Sequence, residues 1–146
     1  MYRRIVAGLV RRRYAELDRH DHSGVVSRFA DDVHFRFAGD PPLAVDCHSR
    51  VEAERWFARL FERFPDLRFE VEEVIVAGPP WRTRIVTRYT TRATPRPGRT
   101  LVNPGVQVAR LRWGRVTEDL LYPDTQAVAT AVADAATPRP ARASAP

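Results

Sequence analysis

The sequence predicts an α+β domain, in which a cone-shaped, curved antiparallel sheet has its pocket covered by three helices from the N-terminal half. Two observations carry this. Helical periodicity dominates up to Pro65, and from Leu67 the apolar pattern switches to period two and stays there. The strands so marked follow one another through turn residues rather than alternating with helices, which separates α+β from α/β. The 146 residues, 44% of them hydrophobic, suit one domain, with a core large enough to need no disulfide or metal staple.

Residues 4–20 read as an amphipathic helix, because Val6, Leu9, Val10, Arg13, Tyr14 and Leu17 recur at three- and four-residue spacing. Asp21-His22-Ser23-Gly24 breaks it. Ser23 is placed to cap a short second helix carrying Val25, Val26 and Phe29. Val33, Phe35 and Phe37 alternate with His34 and Arg36, a half-buried strand, and Gly39-Asp40-Pro41-Pro42 turns the chain toward a brief strand near 43–46. Ser49-Arg50-Val51-Glu52 is a capping box that opens a third helix. That helix carries Val51, Trp56, Phe57, Leu60, Phe61 and Phe64 and stops at Pro65.

Four long strands follow at about 67–77, 81–93, 100–112 and 115–123, divided by Gly78-Pro79-Pro80, Pro95-Arg96-Pro97-Gly98 and Trp113-Gly114. Pro104-Gly105 suggests a bulge or a late start in the third of these. The Ala/Val-rich stretch 126–136 reads as a last helix. Residues 1–136 thus form one α+β barrel domain, and 137–146, rich in Pro and Ala, a disordered tail.

Charge argues against nucleic acid as partner. The net +6 comes from five Arg in residues 1–13 and a small excess after residue 126, while residues 14–126 hold 17 Arg against 17 acids. A nucleic-acid protein would carry a basic stripe with interleaved aromatics across its body. All 24 basic residues are Arg, which fits genomic composition better than phosphate recognition. No apolar run approaches the roughly 20 residues that span a bilayer, and no cleavable leader is evident, so no membrane partner is expected. The single Cys47 excludes a disulfide framework and fits a reducing cytoplasm.

In order and spacing, several segments resemble the nuclear transport factor 2-like superfamily, within it the SnoaL-like/ketosteroid-isomerase-like branch. They are Arg13-Tyr14-Ala15-Glu16-Leu17, Arg28-Phe29-Ala30-Asp31-Asp32-Val33, Phe64-Pro65-Asp66-Leu67, Trp113-Gly114-Arg115-Val116 and Leu121-Tyr122-Pro123-Asp124-Thr125, and the resemblance spans about residues 5–126. It implies a conical fold, a small apolar ligand and frequent homodimers. It does not imply one activity, because such folds host many.

Asp124 is the first catalytic candidate. It follows an apolar run and shares strand parity with Leu120 and Tyr122; if that face lines the pocket, desolvation lifts its pKa toward a range useful for proton transfer. An Asp near this position is the acid/base that the polyketide-cyclase resemblance implies. The competing reading is an N-cap for the last helix. Tyr14 matches the tyrosine that donates to a developing oxyanion in ketosteroid isomerases, against simple packing of an amphipathic face. Gln107, on the face of Ala109 and Leu111, would orient a ligand carbonyl or hold Asp124. Tyr122, Asn103, Phe35, Phe37 and Trp56 complete the expected ligand-binding set, Asn103 having a turn role as its alternative.

Two departures matter. Phe37 stands where ketosteroid isomerases carry their general-base Asp, and Ala109 where polyketide cyclases carry a His. His20 and His22 read as solvated loop residues, His34 as outward, and Cys47 as inert. No phosphate loop, metal cluster or nucleophilic triad is evident, so neither cofactor nor metal is implied. Two functions remain. One is a cofactor-independent cyclase, isomerase or dehydratase acting by proton transfer on a polyketide-like or polycyclic substrate; the other is a non-catalytic small-molecule-binding or dimeric interaction module. Rows of opposite charge, Arg82, Arg84, Arg88 and Arg92 against Arg68, Glu70 and Glu72, point to cross-strand ion pairs on the outer sheet face.

Overall fold

A computed structural model describes residues 1–40 and 42–137; Pro41 of the first turn and residues 138–146 of the expected tail lie outside the described residues. The elements are α1 (Tyr2–Asp18), α2 (Ser23–Val26), β1 (Phe29–Phe37), β2 (Val45–His48), α3 (Arg50–Arg63), β3 (Arg68–Ala77), β4 (Thr83–Arg96), β5 (Arg99–Arg112), β6 (Arg115–Pro123) and α4 (Thr125–Ala136). The α+β class and the order of elements are as the periodicities predict.

One curved, unclosed sheet runs β2-β1-β6-β5-β4-β3. Its neighbours pair antiparallel except β1 and β6, which are parallel. The sheet is therefore mixed rather than wholly antiparallel. A parallel pair needs a long crossover, and here the whole stretch from β2 to β5 supplies it. Among the described residues, no helix is long and apolar enough to cross a membrane.

Phe29, Val33 and Phe35 of β1 are almost wholly buried beneath α3, which contributes Ala53, Trp56, Phe57 and Leu60. One half of the capping box forms, Ser49 Oγ accepting from the Glu52 N–H at 3.3 Å. The Trp56 indole N–H donates to the Leu43 carbonyl at 2.7 Å, so the largest core residue leaves no polar atom unsatisfied.

Several local expectations change. His22, not Ser23, precedes α2, and the Ser23 hydroxyl donates instead to Asp21 Oδ1 at 2.6 Å. Phe29 opens β1 rather than closing the second helix. Pro104-Gly105 makes no bulge, since β4 and β5 pair in unbroken register from Thr83 to Ala93. Pro104 sits just past the end of β6, where its missing N–H breaks no ladder. Gly105 is needed for close approach, because a Cβ there would stand 2.8 Å from the Tyr89 ring. Trp81 and Trp113, at the β3–β4 and β5–β6 turns, are 56% and 68% exposed and pack on each other.

The hairpin bulge that sequence reading missed is at Thr117. Trp113 and Gly114 both take positive φ, as a two-residue primed turn requires, and set Leu111 opposite Val116. Arg110 then pairs with Glu118, which skips Thr117 and shifts every later β6 residue by one.

Candidate active site

The shift at Thr117 decides which carboxylate enters the pocket. Without it, Gln107 would face Leu120, and Tyr122 and Asp124 would share its side. With it, Gln107 pairs with Leu121 and Ala109 with Asp119. Side chains alternate with period two, so a one-residue slip exchanges the faces.

Asp124 accordingly lies outside the pocket. Its Oδ1 accepts from the backbone N–H groups of Gln126 and Ala127, both at 3.1 Å, and the residue is exposed as the N-cap of α4. Tyr122 points outward too, 41% exposed. Asn103 is in β5 rather than a turn, and its Oδ1 accepts the Asp124 N–H at 2.9 Å, fastening the end of β6. Phe37, Trp56 and Asn103 line an internal cavity, whereas Phe35 packs behind Phe37's partner Trp56 without lining it.

Tyr14 and Gln107 do come together, around an acid that sequence reading passed over. The Tyr14 hydroxyl donates to Gln107 Oε1 at 2.8 Å, and Gln107 Nε2 donates to Asp119 Oδ1 at 2.8 Å. Tyr14 comes from α1, Gln107 from β5 and Asp119 from β6, so the chain of bonds crosses from helix to sheet. Both Gln107 amide groups are used, which fixes the amide's orientation. Asp119 is 2% exposed, and Gln107 is its carboxylate's only hydrogen-bond donor among the described residues.

Burial outweighs that single bond and pushes the Asp119 carboxyl up to about 6. Tyr14 is raised well above the usual phenol range, by burial first and then by the charges of Tyr89 and Asp119. Burial likewise raises Tyr89, whose ring lies 5.7 Å from that of Tyr14. Both phenols therefore stay protonated and remain donors. Thr87, opposite Gln107 in the sheet register, buries a hydroxyl with no partner among the described residues.

Two apolar cavities meet at this chain and share Tyr14, Val25, Gln107 and Asp119 as walls. The inner one, about 80 Å³, runs under α3 past Phe37 and Trp56. The outer one, about 350 Å³, opens between α1 and the β5–β6 hairpin, past Ile5, Leu9 and Trp113. The second falls within the size range of small-molecule sites.

A SnoaL-like domain model matches residues 10–119, more than half of the chain. The chain belongs to the SnoaL-like family. Solved structures agree on the fold. A nuclear transport factor 2-like protein of unknown function from Burkholderia pseudomallei K96243 is 25% identical, with TM-score 0.71, over 86% of this chain and 95% of that one. A protein from Jannaschia sp. CCS1, proposed to be a SnoaL-like polyketide cyclase, is 25% identical, with TM-score 0.65, over 90% and 92%. IdmH of Streptomyces antibioticus, proposed to be a polyketide cyclase, is 16% identical, with TM-score 0.70, over 87% and 97%. No curated protein sequence matches significantly.

Within this SnoaL-like domain, the remaining polar candidates lie away from the cavities' shared wall. His20 Nε2 bonds the Leu67 carbonyl at 3.0 Å and its ring stacks 4.4 Å from Phe61, while His22 stacks on Phe57. Both are thus half-buried against α3 rather than solvated. The outer-face ion pairs form as expected, Arg88–Glu72 at 3.2 Å and Arg92–Glu70 at 3.6 Å.

Proposed function

We propose that this SnoaL-like protein is a cofactor-independent enzyme of the cyclase or isomerase kind, moving a proton on a flat, apolar, carbonyl-bearing substrate of polyketide or polycyclic type. The observation that carries the reading is the Asp119 carboxyl, buried in the shared wall of two apolar cavities with one protein donor and a pKa near 6. A base of that strength is ionised at neutral pH and strong enough to take a proton from carbon next to a carbonyl. The C–H electron pair passes to the carbonyl oxygen as an enolate, and the proton to Asp119. Tyr14, turning from Gln107 to the ligand, donates to the new oxyanion, and Gln107 keeps Asp119 oriented. Return of the proton to another carbon completes an isomerisation; alternatively the enolate carbon attacks a second carbonyl of the same molecule and closes a ring, the new alkoxide taking the proton that Asp119 holds. We place the substrate in the outer cavity, whose volume suits it. The same reading carries a cytoplasmic protein that pairs with a second copy, checked by light scattering.

A second reading, a ligand-binding module, is favoured by Phe37 and Ala109 standing where related enzymes carry a base and a His, and by Asp124 serving as a helix cap. One experiment separates the two. β-Tetralone in D₂O serves as probe, with binding read by ligand-observed NMR and hydrogen loss beside the carbonyl read by proton NMR. Catalysed exchange should rise with pH to a plateau above about 6, and Asp119→Asn should lower it roughly 100-fold or more. Binding with exchange at the buffer rate would leave only the module.

A further inference from the structure

The outer face of the β2–β1–β6 edge assembles a nitrogen and oxygen donor set that the pocket does not use. His34 of β1 lies directly opposite His48 of β2 in the antiparallel register, and Asp46 lies opposite Arg36, one step along the same face. On the other side of β1, His34 pairs with Glu118 of β6. The alternation that sends Phe35 and Asp119 inward sends His34 and Glu118 outward. The two imidazoles stack, with centroids 4.5 Å apart and planes 13° from parallel. His34 Nε2 is 2.7 Å from Asp46 Oδ1, and His34 Nδ1 is 3.6 Å from Glu118 Oε2. One donor atom from each of His34, Asp46 and His48 lies within 4.8 Å of the others, the only such group of three found among the described residues.

We propose that His34, Asp46 and His48 bind a divalent transition ion of borderline softness, Zn²⁺ in the first instance, with Glu118 holding His34 in position. Two imidazole nitrogens and one carboxylate oxygen suit such an ion, and three protein ligands leave a position for water. Glu118 gives the set its direction. Its carboxylate, 3.6 Å from His34 Nδ1, favours the ring proton on that nitrogen and so an Nε2 lone pair toward Asp46 and His48 once an ion displaces the Asp46 bond. Arg36, 4.0 Å from the second oxygen of Asp46, steadies that carboxylate, and Arg110, 3.2 Å from Glu118 Oε1, steadies the other. Those two cations also oppose the ion, so the site is of moderate affinity. Binding replaces the His34–Asp46 hydrogen bond, the neutral ring carrying its one proton on Nδ1 and turning the Nε2 lone pair to the ion. The ion would clasp the four-residue edge strand β2 to β1.

The test titrates the full chain, stripped of metal, with Zn²⁺ alone by calorimetry in two buffers of different ionisation enthalpy. One saturable site is expected, with the same stoichiometry in both buffers, together with a thermal unfolding midpoint that rises with Zn²⁺. Asp46 and His48 are exposed, so His48→Ala and Asp46→Asn keep the fold, checked by circular dichroism, and each should weaken binding about 100-fold. Glu118→Gln should weaken it about 10-fold while keeping one site. No saturable binding at submillimolar Zn²⁺, or wild-type affinity in His48→Ala, would overturn the assignment.

Discussion

Glu118 and Asp119 are consecutive residues of one strand, and the sheet gives them opposite lives. Glu118 faces outward, with Arg110 at 3.2 Å and His34 at 3.6 Å to share its charge. Asp119 faces inward, with no ion pair and one amide donor among the described residues. Five residues on, Asp124 has a third fate, its charge spent on two helix N–H groups. Three carboxylates thus fall within one short stretch of chain, and the fold leaves only one of them poorly compensated. Weak solvation makes a carboxylate basic, and the same weakness burdens the folded state.

The sharpest way to break this comparison is to neutralise the inward acid. The folded protein holds the Asp119 proton more tightly than the unfolded chain, whose carboxyl titrates near 3.9, because burial raises the folded value to about 6. Asp119 therefore lowers stability progressively as pH rises from about 4 to 6, and fully above that. Asp119→Asn keeps an oxygen for Gln107 Nε2 and removes the buried charge. It should stabilise the protein by about 3 kcal/mol at pH 7.5 and by almost nothing at pH 3.5, at roughly 1.4 kcal/mol per pKa unit. Urea unfolding at the two pH values measures it. Equal midpoint shifts at both would mean that the carboxyl is solvated and that the proton-transfer reading has lost its base.

Asp124 supplies the intermediate case. Removing an N-cap side chain costs about 1 kcal/mol. Asp124→Ala should therefore destabilise α4 by about that amount, with a small loss of helical circular dichroism. β-Tetralone exchange should continue, since the carboxylate is outside both cavities' shared wall. A loss of exchange comparable to that in Asp119→Asn would return Asp124 to the chemistry.

How the sequence misassigned these acids is instructive. Helices, strands and the helix cap were legible because each is encoded locally, in periodicity or in a pair of residues three positions apart. Gln107 was legible as a candidate because an amide on a core face needs partners, and Tyr14 because it matches the tyrosine of the ketosteroid-isomerase resemblance. Asp119 was not, because its burial depends on one skipped residue at Thr117, and a bulge leaves no mark in a strand reading Val-Thr-Glu-Asp-Leu-Leu. Leu120 and Leu121 are both apolar, so either parity satisfies the pattern. The available signal was the acid pair itself. An alternating strand must send one of Glu118 and Asp119 inward, and Ala109 opposite leaves room for a short carboxylate. The parallel β1–β6 pair and the His34–His48 juxtaposition were hidden for a related reason, since contacts between distant strands are set by topology and not by neighbours in sequence.

The smallest effect belongs to the outward acid. Glu118 keeps its charge near water and shares it with two basic side chains, so its pairs carry the modest energy of surface bridges. In metal-free buffer, Glu118→Gln should change unfolding free energy by no more than about 0.5 kcal/mol at pH 7.5, and 1 M salt should erase most of that difference. Urea denaturation of wild type and variant at two salt concentrations measures it. The result sharpens the contrast because substitutions one residue apart would then differ in size and in salt response. A Glu118→Gln effect as large as that of Asp119→Asn, and insensitive to salt, would place both carboxylates in the same environment and remove the distinction between the two faces of β6.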